Sequence, residues 1–175
     1  MLNNFPRLII SILSEWGFTR QGFRNNSSGE WWLIAQIILI LAHFFPAYIS
    51  LKLEKINWPM SSLGLYIIIL GIFLAIMALS SLGKNISPLP DPKKGAKLIR
   101  IGSYKYCRHP LYQSILICSL GSIIYLDSLM HLILFIVLSL VLKGKALREE
   151  EMLQKIHPDY NSYRKSTPAI IPWIP

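Results

Sequence analysis

The sequence is poor in cysteine and in acidic residues, and long stretches of it carry no charge. Its 175 residues include two cysteines and nine Asp or Glu, against eighteen Lys or Arg. Cys107 and Cys118 form neither a metal-binding spacing nor a disulfide framework, so no metal site is predicted. With only 15% charged and 53% hydrophobic residues, the chain is too apolar for an ordinary soluble domain of this size.

The hydrophobic residues are concentrated in runs. Met60–Gly83 contains no Asp, Glu, Lys, Arg or His, and the polar interruptions of Trp31–Leu51 are Gln36, His43 and Ser50. Both runs exceed the ~20 residues that cross a bilayer as a helix, so each predicts a transmembrane span.

A third apolar run, Leu111–Leu142, has one acidic residue, Asp127, near its middle. At ~1.5 Å per residue this run is too long for one crossing and barely long enough for two. We therefore predict a tight helical hairpin with Asp127 and Ser128 at its tip. The expected fold is all-α and integral to the membrane, with about four transmembrane helices and an interfacial N-terminal helix.

Basic residues are concentrated in residues 84–110 and 143–175, whereas the hairpin tip has none. The positive-inside rule then places both termini and both basic segments in the cytoplasm. Because these cations flank apolar spans instead of covering a soluble face, they argue against nucleic-acid binding and for contact with the lipid bilayer. The sequence gives no oligomeric state.

The chain divides into three parts of a single domain. Residues 1–30 are expected to form an interfacial helix at 5–18 and a polar loop at 20–29, residues 31–83 two spans, and residues 84–175 a loop, the hairpin and a C-terminal segment. Three prolines make residues 84–95 non-helical and extended over the cytoplasmic surface. Ala96–Ile101 is expected to be a short extended segment. Pro110 should lie in the first helical turn, leaving the backbone at Arg108 and His109 free to bind a ligand.

Two charged clusters lie at the two mouths of the predicted hairpin, which brings them together. The second hairpin helix should continue out of the membrane and end near His157. Lys145 and Glu149 are four residues apart and share a face, whereas consecutive glutamates fan out by ~100° each. At most two of the glutamates at 149–151 can therefore address one site.

Three separated motifs occur here: Gly102-x-Tyr104-x-Tyr106-x-Arg108-His109-Pro110-x-Tyr112, then Glu149-Glu150, then Tyr160-x-x-Tyr163-Arg164 with Ile171-Pro172 further on. Their order and spacing resemble the isoprenylcysteine carboxyl methyltransferase and phospholipid methyltransferase superfamily over roughly residues 80–175. The resemblance implies an integral-membrane methyltransferase that binds S-adenosylmethionine without a Rossmann domain. The chain indeed contains no Gly-x-Gly-x-x-Gly.

The resemblance also implies site residues. Its cofactor contacts fall on Ala96, Lys97, Leu98, Ile99, Tyr104, His109, Pro110, Leu111, Tyr112 and Glu149. In the family, an arginine four residues before that glutamate holds the substrate; here the position is Lys145, and Arg148 is the nearest guanidinium. Lys145, Arg148, Glu149 and Glu150 are thus the catalytic candidates. Lysine cannot form the two parallel hydrogen bonds that arginine makes with a carboxylate. The change from arginine to lysine therefore affects the predicted substrate more than the predicted cofactor.

The residue types suit methyl transfer. Tyrosine faces can stabilise a sulfonium, and a carboxylate such as Glu149 can pair with an ammonium. A carboxylate acceptor is already nucleophilic at neutral pH, whereas a lipid amine must first lose a proton, which would give Glu150 or His109 a base role. Taken singly, these residues are also typical of membrane-boundary anchors and helix-surface ion pairs.

We rank a prenylated cysteine-like carboxylate first as the acceptor, reached laterally from the bilayer, and a phospholipid amine or small thiol next. Two further alternatives remain at this stage. Membrane reductases that use a nicotinamide cofactor resemble this chain in their C-terminal part, and a non-catalytic relative would keep the scaffold alone.

Overall fold

The computed structural model describes residues 18–45, 61–92, 95 and 97–170 of the chain. All regular structure in these residues is helical: α1 (Arg20–Asn25), α2 (Glu30–Ala42), α3 (Ser61–Leu82), α4 (Pro110–Leu126), α5 (Leu129–Ile156) and α6 (Tyr160–Ser166). Two short 3-10 turns, Gly83–Asn85 and Gly102–Lys105, flank the loop between α3 and α4. The interfacial helix expected at 5–18 falls almost wholly outside the described residues.

The polar stretch at 20–29 contains the short helix α1, so the prediction of a loop there was wrong. Local capping explains the helix. The Thr19 side chain accepts a hydrogen bond from the Gly22 N–H at 2.8 Å, and Asn26 ends the helix in the left-handed conformation. Trp31 then fastens α1 to α2, because its indole N–H donates to the Phe23 carbonyl at 2.9 Å.

The predicted second span is confirmed as a helix, since α3 covers Ser61–Leu82 of the predicted Met60–Gly83. The first predicted span, Trp31–Leu51, corresponds to α2, which is described as 13 residues ending at Ala42 and is shorter than a full crossing. Residues 46–51 of that prediction lie outside the described part of the chain.

The hairpin prediction is confirmed closely. Helices α4 and α5 meet at Asp127, which adopts a left-handed conformation (φ 48°), and at Ser128, which precedes α5. Pro110 is the first residue of α4, where its missing N–H costs no helical hydrogen bond. Helix α5 continues past its apolar part, which ends at Leu142, and stops at Ile156 beside Pro158.

Small residues let α3 pack along α4 at close range. A side chain added at Gly64 would lie 2.4 Å from the backbone nitrogen of Tyr125, and one added at Gly121 would lie 2.8 Å from the Gly64 carbonyl oxygen. Helix pairs in membranes favour such positions because apolar side chains gain little by leaving lipid for a partner helix. This packing fixes the loop between α3 and α4 against the hairpin.

Helix α5 also packs against α2, and polar side chains join the helices near the hairpin tip. His43 lies with Nδ1 2.7 Å from the Leu39 carbonyl oxygen and Nε2 2.6 Å from the Ser119 hydroxyl. The His131 ring stands edge-on to His43, with centroids 5.6 Å apart. The two histidine rings therefore meet between α2 and α5.

Two described helices, α3 and α5, are long and apolar enough to cross a membrane. Only 17% and 28% of the residues in their most apolar windows are buried, so these helices are not the enclosed core of a soluble fold. The chain is thus a helical membrane protein. Four crossings and their sidedness stay predictions, because α2 and α4 are shorter.

The predicted topology places the hairpin tip on the side opposite the basic segments. In a background with Cys107 and Cys118 replaced by serine, Leu126→Cys near the tip should react with an impermeant thiol reagent only from the non-cytoplasmic side. Lys165→Cys should react only from the cytoplasm; both native side chains are exposed. Labelling intact cells and inverted vesicles measures this, and labelling of both positions from one side would contradict the hairpin crossing.

Candidate functional site

The site begins at the segment that enters α4. The backbone N–H of Arg108 donates to the Pro168 carbonyl and that of His109 to the Ala169 carbonyl, both at 2.9 Å. The expectation that these groups are free for a ligand was therefore wrong. A chain segment sixty residues away satisfies them, as buried backbone donors require.

Glu150 is the centre of a buried ion cluster. Its Oε1 accepts from Arg108 Nε and lies the same 2.9 Å from His109 Nε2, while Arg164 Nε is 3.4 Å from Oε2. Burial alone would raise the pKa of Glu150, but hydrogen bonds from His109 and Arg108 and their charge lower that pKa to about 2. Glu150 is therefore an ionised structural group and a weak base.

Arg108 connects this cluster to the C-terminal segment through hydrogen bonds. Its Nη1 donates to the carbonyl oxygens of Arg164 and Thr167. Together with the backbone bonds above, these contacts hold residues 164–169 against the start of α4. The side chain of Arg108 is only 5% exposed, so its charge depends on these partners.

Glu149 points away from this cluster, as expected for the adjacent position on a helix. Its Oε2 accepts from the Tyr112 hydroxyl at 2.8 Å and lies 3.7 Å from His109 Nδ1. The His109 and Tyr112 rings stack with centroids 5.2 Å apart, so one aromatic pair separates the two carboxylates. Among the described residues no hydrogen bond reaches the other oxygen of Glu149.

An open pocket lies on the Glu149 side of the helix, with a cavity volume of about 90 Å³. Five of the ten predicted cofactor-binding residues line it: Lys97, Leu98, Ile99, Tyr104 and Glu149. The other walls come from the end of α3, the proline-rich loop, the segment before α4, α5 and α6. Their residues are Leu82, Asn85, Ser87, Leu89, Pro90, Pro92, Arg108, Leu153, Tyr160 and Tyr163.

The loop that roofs this pocket is packed into the protein and does not run over the surface as expected. Leu89 is 4% exposed and Pro90 less than 2%. Pro90 lies against Gly29, where an added side chain would be 2.2 Å from the proline ring. The positive φ of Gly29, 80°, also favours glycine at this position.

The pocket residues fit the parts of S-adenosylmethionine. Glu149 can accept from its ammonium, Lys97 and Arg108 can meet its carboxylate, and tyrosine faces can contact its sulfonium. The Tyr160 hydroxyl is buried and finds no hydrogen-bond partner among the described residues, which suits a polar ligand group. Burial and the nearby Glu149 raise the pKa of Tyr104, so its hydroxyl remains protonated.

Lys145 is held by protein groups on the other side of Glu149. Its Nζ donates to Gln36 Oε1 at 2.7 Å and to the Pro88 carbonyl at 2.9 Å, and lies 5.3 Å from the centre of the Tyr112 ring. Burial lowers the pKa of Lys145 to about 8, although the charge of Glu149 acts in the opposite direction. Lys145 thus ties α2 to the roof loop and touches the aromatic pair beside the pocket.

Arg148 also binds the proline-rich loop that roofs the pocket. Its Nε donates to Asp91 Oδ1 at 3.0 Å and its Nη2 to the Ser27 carbonyl at 2.6 Å. Arg148 therefore joins α5 to both the proline-rich loop and the turn between α1 and α2.

The remaining predicted residues divide by position. His109 and Tyr112 adjoin the pocket through Glu149, whereas Pro110 begins α4 and lines a separate apolar recess. Leu111 follows Pro110 in the first turn of α4 and does not line the pocket, and Ala96 lies outside the described residues.

The predicted site residues did not include Arg108, Tyr160 and Tyr163, although all three occur in the sequence motifs. The prediction also omitted Gln36, which could have been noticed as a single amide side chain within an apolar run.

Comparison with known proteins identifies the family of this chain. The sequence model described as "Phospholipid methyltransferase" matches residues 60–160, more than half of the chain. The chain belongs to the phospholipid methyltransferase family.

Individual relatives share 28 to 30% of their residues with this chain over the matched segments. The chain is 28% identical over 140 residues to the protein-S-isoprenylcysteine O-methyltransferase of Rattus norvegicus, covering 73% of this chain and 49% of the relative. It is 30% identical over 135 residues to the protein of the same name from Schizosaccharomyces pombe, with 75% and 56% covered. It is also 28% identical over 85 residues to the nickel-cobalt-cadmium resistance protein NccN of Alcaligenes xylosoxydans xylosoxydans, with 46% and 38% covered. The chain thus spans about half the length of the two methyltransferases.

The Glu150 cluster should dominate the acid stability of the protein. Because the pKa of Glu150 is lowered from 4.5 to about 2 on folding, its contribution is fully present above pH 4.5 and is lost as the pH falls towards 2. Glu150→Gln should destabilise the protein by about 3 kcal/mol at pH 7 and remove this part of the acid dependence. Thermal unfolding in detergent across this pH range measures both effects. Glu151→Gln, at an exposed neighbouring position, is the control, and equal behaviour of the two variants would contradict the assignment.

Proposed function

We propose that this protein is an S-adenosylmethionine-dependent methyltransferase that acts on a lipophilic acceptor at the membrane. The convergence of five predicted cofactor residues on one pocket, at the charged end of the hairpin, supports this most strongly. Membership of the phospholipid methyltransferase family supports the same chemistry. The bound cofactor supplies an electrophilic methyl group on a sulfonium.

The residues of this chain would then bind the cofactor and orient its methyl group. Glu149 would hold the cofactor ammonium through its free oxygen while Tyr112 fixes the other oxygen at 2.8 Å. The tyrosines at 104, 160 and 163 would surround the polar end of the cofactor. The apolar residues Leu98, Ile99 and Leu153 and the prolines of the roof would exclude water from the methyl group.

For the acceptor we propose a carboxylate of the prenylcysteine type. Both candidate bases are committed to other groups: Glu150 has a pKa of about 2, and His109 stands between two carboxylates. Methylation of a lipid amine requires a base, whereas a carboxylate is already ionised at neutral pH. The names of the rat and fission-yeast relatives point to the same acceptor.

Cofactor binding tests the role of Glu149. Glu149→Gln should weaken binding of S-adenosylmethionine roughly 30-fold, because a charge-assisted bond to the ammonium is worth about 2 kcal/mol. Glu151→Gln, two positions away and paired with Lys155 on the exposed face, should bind like the wild type. Isothermal titration calorimetry gives both constants.

Three results would contradict the proposal. Equal binding by both variants would remove Glu149 from the site. Stabilisation of the protein by NADPH in place of S-adenosylhomocysteine would indicate a reductase, and stabilisation by neither ligand a non-catalytic scaffold.

Activity of Lys145 variants tests the acceptor class. If Lys145 holds a carboxylate, Lys145→Ala should abolish methyl transfer to a farnesylcysteine analogue, and Lys145→Arg should preserve it. Gln36→Leu is the matched control, because it removes one of the two protein partners of Lys145, leaving the Pro88 carbonyl, and keeps the cation. Tritium transfer from S-adenosylmethionine to the analogue and to phosphatidylethanolamine measures the outcome. Equal losses in Lys145→Ala and Gln36→Leu would indicate a purely structural lysine, and transfer to the amine alone would overturn the proposed acceptor.

A further inference from the structure

A second, larger pocket lies on the opposite side of the Glu150 cluster from the cofactor pocket. Its cavity volume is about 740 Å³. Helix α5 forms one wall with a single stripe of residues spaced three or four apart: Lys143, Ala146, Leu147 and Glu150. Helix α6 and the segment after it form the other walls: Asn161, Arg164, Lys165, Ala169 and Ile170. Arg108 contributes to both pockets, so the buried ion cluster separates them.

The charge of this pocket is strongly positive. Four cations line it, at positions 108, 143, 164 and 165, against the single carboxylate of Glu150. Arg108 and Arg164 already share that carboxylate. Among the described residues, no acidic side chain lies within ion-pair distance of Lys143 or Lys165. The pocket therefore has cationic groups that the described part of the chain does not neutralise.

The pocket stands at the depth of lipid headgroups. Lys143 directly follows Leu142, the last residue of the apolar part of α5. On the membrane side of Lys143, an exposed apolar stripe continues along the same helix face through Leu140, Val137, Ile136 and Ile133, of which Leu140 is 63% exposed. An acyl chain lying on this stripe would bring its headgroup to Lys143 and into the pocket.

We propose that this pocket is a binding site for an anionic phospholipid, distinct from the methyl-donor pocket. The phosphate would lie among Lys143, Arg164 and Lys165, and the glycerol would contact Leu147 and Ile170. Anionic lipids attract lysine and arginine at the cytoplasmic surface, and here those side chains surround a cavity floored by a buried ion pair. The proposal does not depend on methyl transfer.

Binding of lipid to the full-length protein in neutral detergent tests this proposal. Native mass spectrometry during titration should show that phosphatidylglycerol is retained in preference to phosphatidylcholine. The double variant Lys143→Gln/Lys165→Gln should bind phosphatidylglycerol roughly 30-fold more weakly, given the usual contribution of a lysine beside an anionic membrane. Lys105→Gln/Lys155→Gln is the matched control: it removes the same charge at two exposed positions outside this pocket and should keep wild-type lipid binding.

Each of the following outcomes would contradict the proposed lipid site. Equal loss in both double variants would indicate general attraction by the basic surface. Competition by inorganic phosphate as strong as that by the lipid would indicate a soluble anion. Absence of any preference for phosphatidylglycerol in the wild type would indicate that the pocket has another occupant. An unchanged midpoint of thermal unfolding in detergent verifies that Lys143→Gln/Lys165→Gln is folded.

Discussion

The buried carboxylate of Glu150 holds the charged end of this protein together. Arg108 and His109 bind it from the start of α4, and Arg164 approaches it from α6. Removing one partner would leave a buried charge without compensation, which is far more costly than losing an exposed ion pair. The relative positions of the hairpin, the C-terminal segment and both pockets depend on this one cluster.

The same cluster gives two adjacent glutamates different tasks. Glu150 is enclosed and fully used by protein partners, whereas Glu149, ~100° further round the helix, keeps one oxygen available at the pocket. Lys145 and Arg148 secure the roof of that pocket through Gln36, the Pro88 carbonyl, Asp91 and the Ser27 carbonyl. Residues that a motif alone places in catalysis thus also build the walls that exclude water.

Errors in the sequence-based prediction have local and distant causes. Helix α1 was missed because two caps and one tryptophan bond, rather than an apolar stripe, stabilise it. The backbone at Arg108 and His109 was expected to be free because its partners, Pro168 and Ala169, lie sixty residues away. The proline-rich loop was expected on the surface because prolines exclude a helix but do not show what the loop packs against.

The resemblance of its motifs to a known family indicated segments of the pocket. The sequence by itself determined the hairpin, its tip at Asp127 and the continuation of α5 past Leu142, the end of its apolar part. These features follow from hydropathy and residue spacing, which are local properties of the chain. Only the tertiary structure decided which of two adjacent glutamates is enclosed, where Lys145 donates, and that the ion cluster divides two pockets. Those outcomes depend on which distant groups satisfy each buried charge, and local sequence carries no record of such partners.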